Sequence, residues 1–331
     1  DARTRSAGLL YSAGERSLWP VWLTPDGKAL LALADDFVDH QPGLGSGRPY
    51  LLAIDAVDGH ERSRLPLPGL LAGQLQVANG DSTVYERYGP TGVIDPAGEH
   101  LYLVHAESEA VTIVDLRSMT AHTRLTRDPA SLSERVADWA FGGLDETAEA
   151  KGDEFSLDRS VAISPDGSRL YIGGRRESEW SEACAREPRV EACQSWEPMP
   201  IDVVDVDSMA RLYRIEPGGE FALSPNGKRL YVFGWGMRYD DPEAQARAWP
   251  LGLRVFETTG FQQIASFQPK SIFESGRLDR AGRYLYLVEA RKHRQVGDAY
   301  IPDDYTLHVF DTAIDRGVAA RPMSGGGMFI R

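Results

Sequence analysis

Ile163-Ser-Pro-Asp-Gly-Ser-Arg-Leu-Tyr-Ile-Gly173 is the stretch that decides the fold, because its pattern returns four more times. The other copies are Leu23-Thr-Pro-Asp-Gly-Lys-Ala-Leu-Leu-Ala-Leu33, Ile94-Asp-Pro-Ala-Gly-Glu-His-Leu-Tyr-Leu-Val104, Leu223-Ser-Pro-Asn-Gly-Lys-Arg-Leu-Tyr-Val-Phe233 and Leu278-Asp-Arg-Ala-Gly-Arg-Tyr-Leu-Tyr-Leu-Val288. The last copy lacks the proline. Proline pre-sets φ at the first corner of a tight turn, Asp or Asn suits the next, and Gly supplies a positive φ. The run that follows is aromatic or branched aliphatic and reads as a strand. Each copy therefore predicts a hairpin, near 21–33, 92–104, 161–173, 221–233 and 276–288.

A third strand ending in an acid follows each hairpin: Leu52–Asp55, Thr112–Asp115, Asp202–Asp205, Leu253–Glu257 and Leu307–Asp311. The acid is expected to cap the next turn by accepting backbone N–H groups. A fourth strand follows, such as Arg211–Ile215 or Gln262–Phe267. Four antiparallel strands, repeated, make the blade of a β-propeller. The reading is all-β: one propeller over 1–331, with five visible repeats and six or seven blades expected. The turn glycines Gly27, Gly98, Gly167, Gly227 and Gly282 stand 71, 69, 60 and 55 residues apart. A bare blade needs about 40–50, so insertions or a degenerate blade must fill the difference. Leu75–Ala78 and Ser82–Tyr88, around Asn79-Gly-Asp81, read as an extra hairpin. Leu9–Tyr11 and Gly327–Ile330 are expected to complete another unit from the two chain ends.

Where the insertions fall points to the functional face. The first loop of each repeat is tight, whereas Asp35–Pro49, Gly174–Pro200, Gly234–Leu251 and Arg291–Asp304 are long, and so is the connection Asp128–Asp158, with a short helix expected at Leu132–Trp139. Strands alternate in direction, so the long loops leave from the end opposite the tight turns. Loops held on a rigid scaffold tend to carry function. These hold Trp180, Trp196, Trp235, Tyr239, Asp240, Arg175, Arg176 and Arg291, of the residue types that dominate binding hot spots. Residues just before each first strand are expected to line a central mouth. Asp158, Glu220 and Glu274 there offer carboxylates to a cation such as calcium, and Arg159 and Arg277 offer to neutralise them. Asp35-Asp36-Phe-Val-Asp39-His40 reads as solvated loop acids or a weak cation site.

The net charge is −13, which argues against nucleic acid and anionic lipid as partners. No apolar run reaches the length of a membrane span. Cys184 and Cys193, the two cysteines, share one polar loop with no His beside them. A disulfide is expected there, and with it an oxidising compartment, periplasmic or extracellular. The sequence begins at Asp1 rather than Met, which fits a chain freed of a leader.

No metal-spaced His pair, nucleophile elbow, phosphate loop or haem-attachment motif occurs. His105 and His293 follow second strands and are expected at the functional end as surface or capping residues. Tyr88-Gly-Pro-Thr-Gly-Val-Ile-Asp-Pro-Ala-Gly-Glu-His-Leu-Tyr-Leu-Val104, continuing to Val111–Asp115, resembles the YVTN-type propeller repeat; Val161–Gly173 and Phe221–Phe233 match its hairpin equally. Within that superfamily the chain is similar in size to the propeller subunits of quinoprotein amine dehydrogenases. The Phe329-Ile-Arg331 ending and the insertion after Tyr171 resemble one of them. The resemblance implies a scaffold whose partner subunit carries the quinone. Lactonases also use this fold. The expectation is an exported, non-catalytic module that binds a protein subunit or small ligand, with no cofactor of its own. An oxidoreductase subunit and a cation-centred hydrolase are the alternatives.

Overall fold

The computed structural model describes residues 16–36, 45–79, 82–126, 157–178, 195–238, 247–268, 270–279, 281–296 and 299–323. All regular structure among them is β-strand. The chain divides into two compact units, residues 1–126 and 127–331.

In the first unit, β1 (Arg16–Leu23), β2 (Ala29–Asp36), β3 (Tyr50–Asp55) and β4 (Glu61–Pro66) form blade one in that order. The expected extra hairpin follows as β5 (Gly73–Asn79) and β6 (Ser82–Tyr88), a separate two-stranded sheet. Blade two is β7 (Thr91–Ile94), β8 (His100–Val104), β9 (Ala110–Asp115) and β10 (Thr120–Leu125).

The second unit holds three more blades. Blade three contains β11 (Leu157–Ile163), β12 (Arg169–Ser178), β14 (Ile201–Asp205) and β15 (Arg211–Ile215), with a short added strand β13 (Ser195–Pro198). Blade four is β16 (Glu220–Leu223), β17 (Arg229–Arg238), β18 (Arg247–Glu257) and β19 (Gln263–Phe267). Blade five is β20 (Phe273–Leu278), β21 (Tyr284–Val296), β22 (Ala299–Asp311) and β23 (Arg316–Met323). Successive four-stranded antiparallel blades are the plan of a β-propeller. Five blades lie among the described residues. The chain-end strands and the Leu132–Trp139 helix lie outside them.

One turn is built with two chemistries. In blades one, three and four a hydroxyl starts it: Thr24 Oγ1 donates to Asp26 Oδ1 (2.7 Å), Ser164 Oγ to Asp166 Oδ1 (2.5 Å) and Ser224 Oγ to Asn226 Oδ1 (2.8 Å). Blades two and five begin with an acid and carry Ala at the later position. There Asp95 accepts the Glu99 N–H (2.7 Å), and Asp279 accepts those of Arg283 (2.6 Å) and Tyr284 (3.0 Å). All five close through the glycine N–H onto the carbonyl three residues before, at 2.8–3.0 Å. The third-strand acids cap as expected. Asp55 accepts the Val57 N–H (2.7 Å), Asp115 that of Ser118 (2.7 Å), Asp205 that of Ser208 (2.9 Å), Glu257 that of Gly260 (2.7 Å) and Asp311 that of Ala313 (2.9 Å).

Blades bury both faces against their neighbours, so second and third strands read as continuous apolar runs. Leu31, Leu33, Leu101, Leu103 and Val114 fill the seam of the first unit, where Trp22 donates to the Gly92 carbonyl (2.7 Å). In the second unit Tyr171, Val203, Val232 and Phe256 fill one seam, and Tyr231, Phe233, Leu287 and Phe310 the next. The tight turns touch as well. A Cβ on Gly227 (φ +70°) would lie 2.7 Å from Pro165 Cδ, and one on Gly98 would lie 3.3 Å from Pro25. Hence the repeated proline and glycine serve two jobs: they shape their own turn and fit it to the next blade.

Candidate functional site

Much of the expected long-loop material is strand. β12, β17 and β21 run on past their blades to Ser178, Arg238 and Val296, and β18 and β22 return from Arg247 and Ala299. The insertions after Gly174, Gly234 and Arg291 are thus in part β-arms. Gly297-Asp298, which joins β21 to β22, is a two-residue hairpin signal of the kind that favours such a ribbon. Arms of neighbouring blades also join. β13 pairs with β12 through Arg175↔Pro198 and with β17 through Trp196↔Met237, which makes blades three and four one nine-stranded sheet.

Several expected binding residues are brought together on this sheet. Arg175 and Arg176 lie on β12, Trp196 on β13 and Trp235 on β17, where it stands opposite Pro250 of β18. Trp235 is half-buried, and its Nε1–H is buried with no hydrogen-bond partner among the described residues. Trp249 lies over Gly236 so closely that any Cβ there would strike the indole. Arg254 of β18 is anchored on the Pro217 carbonyl and, at 3.1 Å, on that of Gly218; burial pushes its pKa down. Arg291 stands apart on the blade-five arm, in β21. Trp180, Tyr239, Asp240, Cys184 and Cys193 lie outside the described residues.

The mouth residues stand inside first strands, not before them: Asp158 and Arg159 in β11, Glu220 in β16 and Glu274 in β20. Glu220 meets Arg175, Oε1 to Nη2 at 3.1 Å. Glu274 acts on Tyr305, whose hydroxyl is pushed up first by burial and then by this carboxylate.

Among the described residues, one group of acids and histidine is close enough to surround an ion: Asp55, Asp58 and His60. It lies at the tight-turn end of blade one and is already occupied. Arg62 and backbone N–H groups hold the Asp55 carboxyl down to about 2, and His60 Nδ1 meets Asp58 at 2.5 Å.

Two expected surface groups, Asp35 and His105, are buried polar centres, and a third centre joins His308 to Glu289. Asp35 is buried and accepts from the Ser46 hydroxyl and the Gly47 N–H (3.1 Å), so it pins its loop instead of facing solvent. Beside it, Tyr50 donates to Asp36 (3.0 Å), and burial followed by that bond pushes the phenol up to about 12. His105 is buried rather than at the surface. It bonds Thr112 (2.8 Å) and Glu107 (3.1 Å). His308 meets Glu289 at 2.7 Å, with the rings of Phe267 and Phe273 edge-on to it.

No family model matches the chain, and no curated protein matches it in sequence. Solved structures do match in shape. Kuenenia stuttgartiensis hydrazine synthase is 16% identical over 92% of this chain and 65% of its own, with a TM-score of 0.48. The Cps50 (Swd1) β-propeller domain of Myceliophteria thermophila is 9% identical over 92% and 73%, at 0.43. TolB from Acinetobacter baumannii is 12% identical over 94% and 55%, also at 0.43. The chain thus spans less than two thirds of the hydrazine synthase and TolB chains. These are likenesses of fold.

The arms and the buried pairs were the parts that sequence reading missed. The Gly297-Asp298 pair was the local signal for the blade-five arm. Nothing local signalled the His308–Glu289 pair, because its members stand nineteen residues apart and meet only through the β21–β22 register. No helix among the described residues is long and apolar enough to cross a membrane.

Proposed function

We propose that this chain is an exported binding or scaffold module of the YVTN-repeat kind, which holds a partner protein on the arms of blades three and four. The observation that carries the reading is the Trp235 Nε1–H. A buried donor without an acceptor is costly, about 1–3 kcal/mol, and native proteins rarely keep one without use. A partner carbonyl or carboxylate that displaces the groups now covering it would satisfy it. The surroundings suit this role. The nine-stranded sheet joins two blades, and Trp and Arg dominate such contacts. The Arg175–Glu220 ion pair lies on β12 and β16 of the same two blades.

A disulfide between Cys184 and Cys193 and a periplasmic or extracellular setting belong to this reading. The occupied carboxylate of Glu220 disfavours a cation-centred hydrolase. A quinoprotein-type oxidoreductase subunit is a special case of the scaffold reading, with the chemistry in the partner chain. Native mass spectrometry of the protein isolated from its source tests it. The expected result is a bound chain or ligand in the wild type and its loss in Trp235→Ala, with the Cys pair 2 Da lighter than two thiols. An isolated chain in both, or binding indifferent to Trp235, would sink the proposal.

A further inference from the structure

The blade-five arm differs from its neighbours in one respect. β20 pairs with β21 only as far as Phe273↔Glu289, and the last backbone bond on that side runs from the Ala290 N–H to the Ile272 carbonyl (3.0 Å). β21 continues to Val296 with β22 on its other side, through Arg294↔Ile301 and Val296↔Ala299. Among the described residues the β20-side edge of Arg291–Val296 therefore has no strand beside it. Such an edge is a template for another strand. The protein fills an equivalent edge internally one blade earlier, where β13 lies against β17.

Composition says what fits. Arg291-Lys-His-Arg294 is a run of four basic positions in a chain of net charge −13. The run occupies the start of the arm of β21. That charge repels a second copy of the same edge and attracts an acidic strand. The bulges at Ala290/Lys292 and Lys292/His293 leave His293–Val296 as the regular stretch.

We infer that the β20-side edge of β21 beyond Ala290 captures an extended acidic segment of a partner protein by strand addition. Main-chain hydrogen bonds supply affinity, and the basic run selects acidic side chains. This rests on the reading of the arm-bearing end as a protein-binding surface and names what the partner presents.

The test uses the full chain and a fluorescent peptide of alternating Glu and Val, read by anisotropy. Wild type binds it, more weakly as salt is added. Methylation of alternate peptide nitrogens keeps the charge but prevents strand pairing, and is expected to weaken binding about ten-fold. K292E/R294E weakens it similarly and gains affinity for a Lys–Val peptide. Equal binding of the methylated peptide overturns strand addition, and undiminished binding by K292E/R294E overturns the location. If the peptide fails while the native partner still binds through Trp235, this inference falls alone. If neither binds, the broader reading falls with it.

Discussion

Replacing Gly227 by Ala asks whether the repeated Pro–Gly contact holds blades together or only shapes a turn. Gly227 has φ +70° and a virtual Cβ 2.7 Å from Pro165 Cδ and 3.2 Å from Cγ. The left-handed backbone alone costs an alanine about 1–2 kcal/mol. Overlap with a rigid ring in a packed seam adds about 1–3 kcal/mol. Gly27 supplies the control, with φ +70° and nothing within 4 Å of its virtual Cβ. Gly27→Ala should therefore lose only the first part, and Gly227→Ala about twice as much or more. Urea unfolding followed by tryptophan fluorescence reads both. A cycle with Pro165→Ala isolates the contact: removing the ring should return about 1 kcal/mol or more of the Gly227→Ala loss. Equal losses at Gly27 and Gly227, with additive behaviour in the cycle, would refute the inter-blade role.

Two further outcomes follow from the same geometry. The Ser164 hydroxyl and Ser168 amide hold the Asp166 carboxyl down to about 2, so its contribution is complete above the ordinary value near 3.8 and fades as pH falls towards 2. Asp166→Asn, which copies the Asn226 of blade four, should flatten the fall in melting temperature between pH 7 and pH 3; an unchanged slope would contradict this. Glu289→Ala leaves the buried His308 without its partner and should cost about 1–3 kcal/mol in urea, whereas Glu289→Leu with His308→Phe should recover most of it. A fully additive double variant would contradict that.

What was legible in the sequence was what repeats locally. The Pro-Asp-Gly turn, the Leu-Tyr run and the terminal acid each act within a few residues, so each announced itself repeatedly along the chain. The acid-for-hydroxyl exchange at Asp95 and Asp279 was visible too, since Ala97 and Ala281 change with it. The site was less legible because its parts come from different blades. Arg175 was expected as a binding residue on a long loop, yet it pairs with Glu220, forty-five residues later, across a blade boundary. Asp35 and His105 looked like surface groups because burial depends on the neighbouring loop and strand, not on their own polarity. The arms were read as loops because polar residues on a two-stranded ribbon lack the apolar face that marks a packed strand.

Hydrogen exchange of the chain with and without its native partner tests the central claim most directly. The account predicts that binding slows exchange at Arg175–Ser178, Ser195–Pro198 and Trp235–Arg238, at the arm-bearing end of blades three and four. Protection confined to the tight turns of the second unit, at 164–168, 224–228 and 279–283, would place the partner at the opposite end of that unit and contradict it.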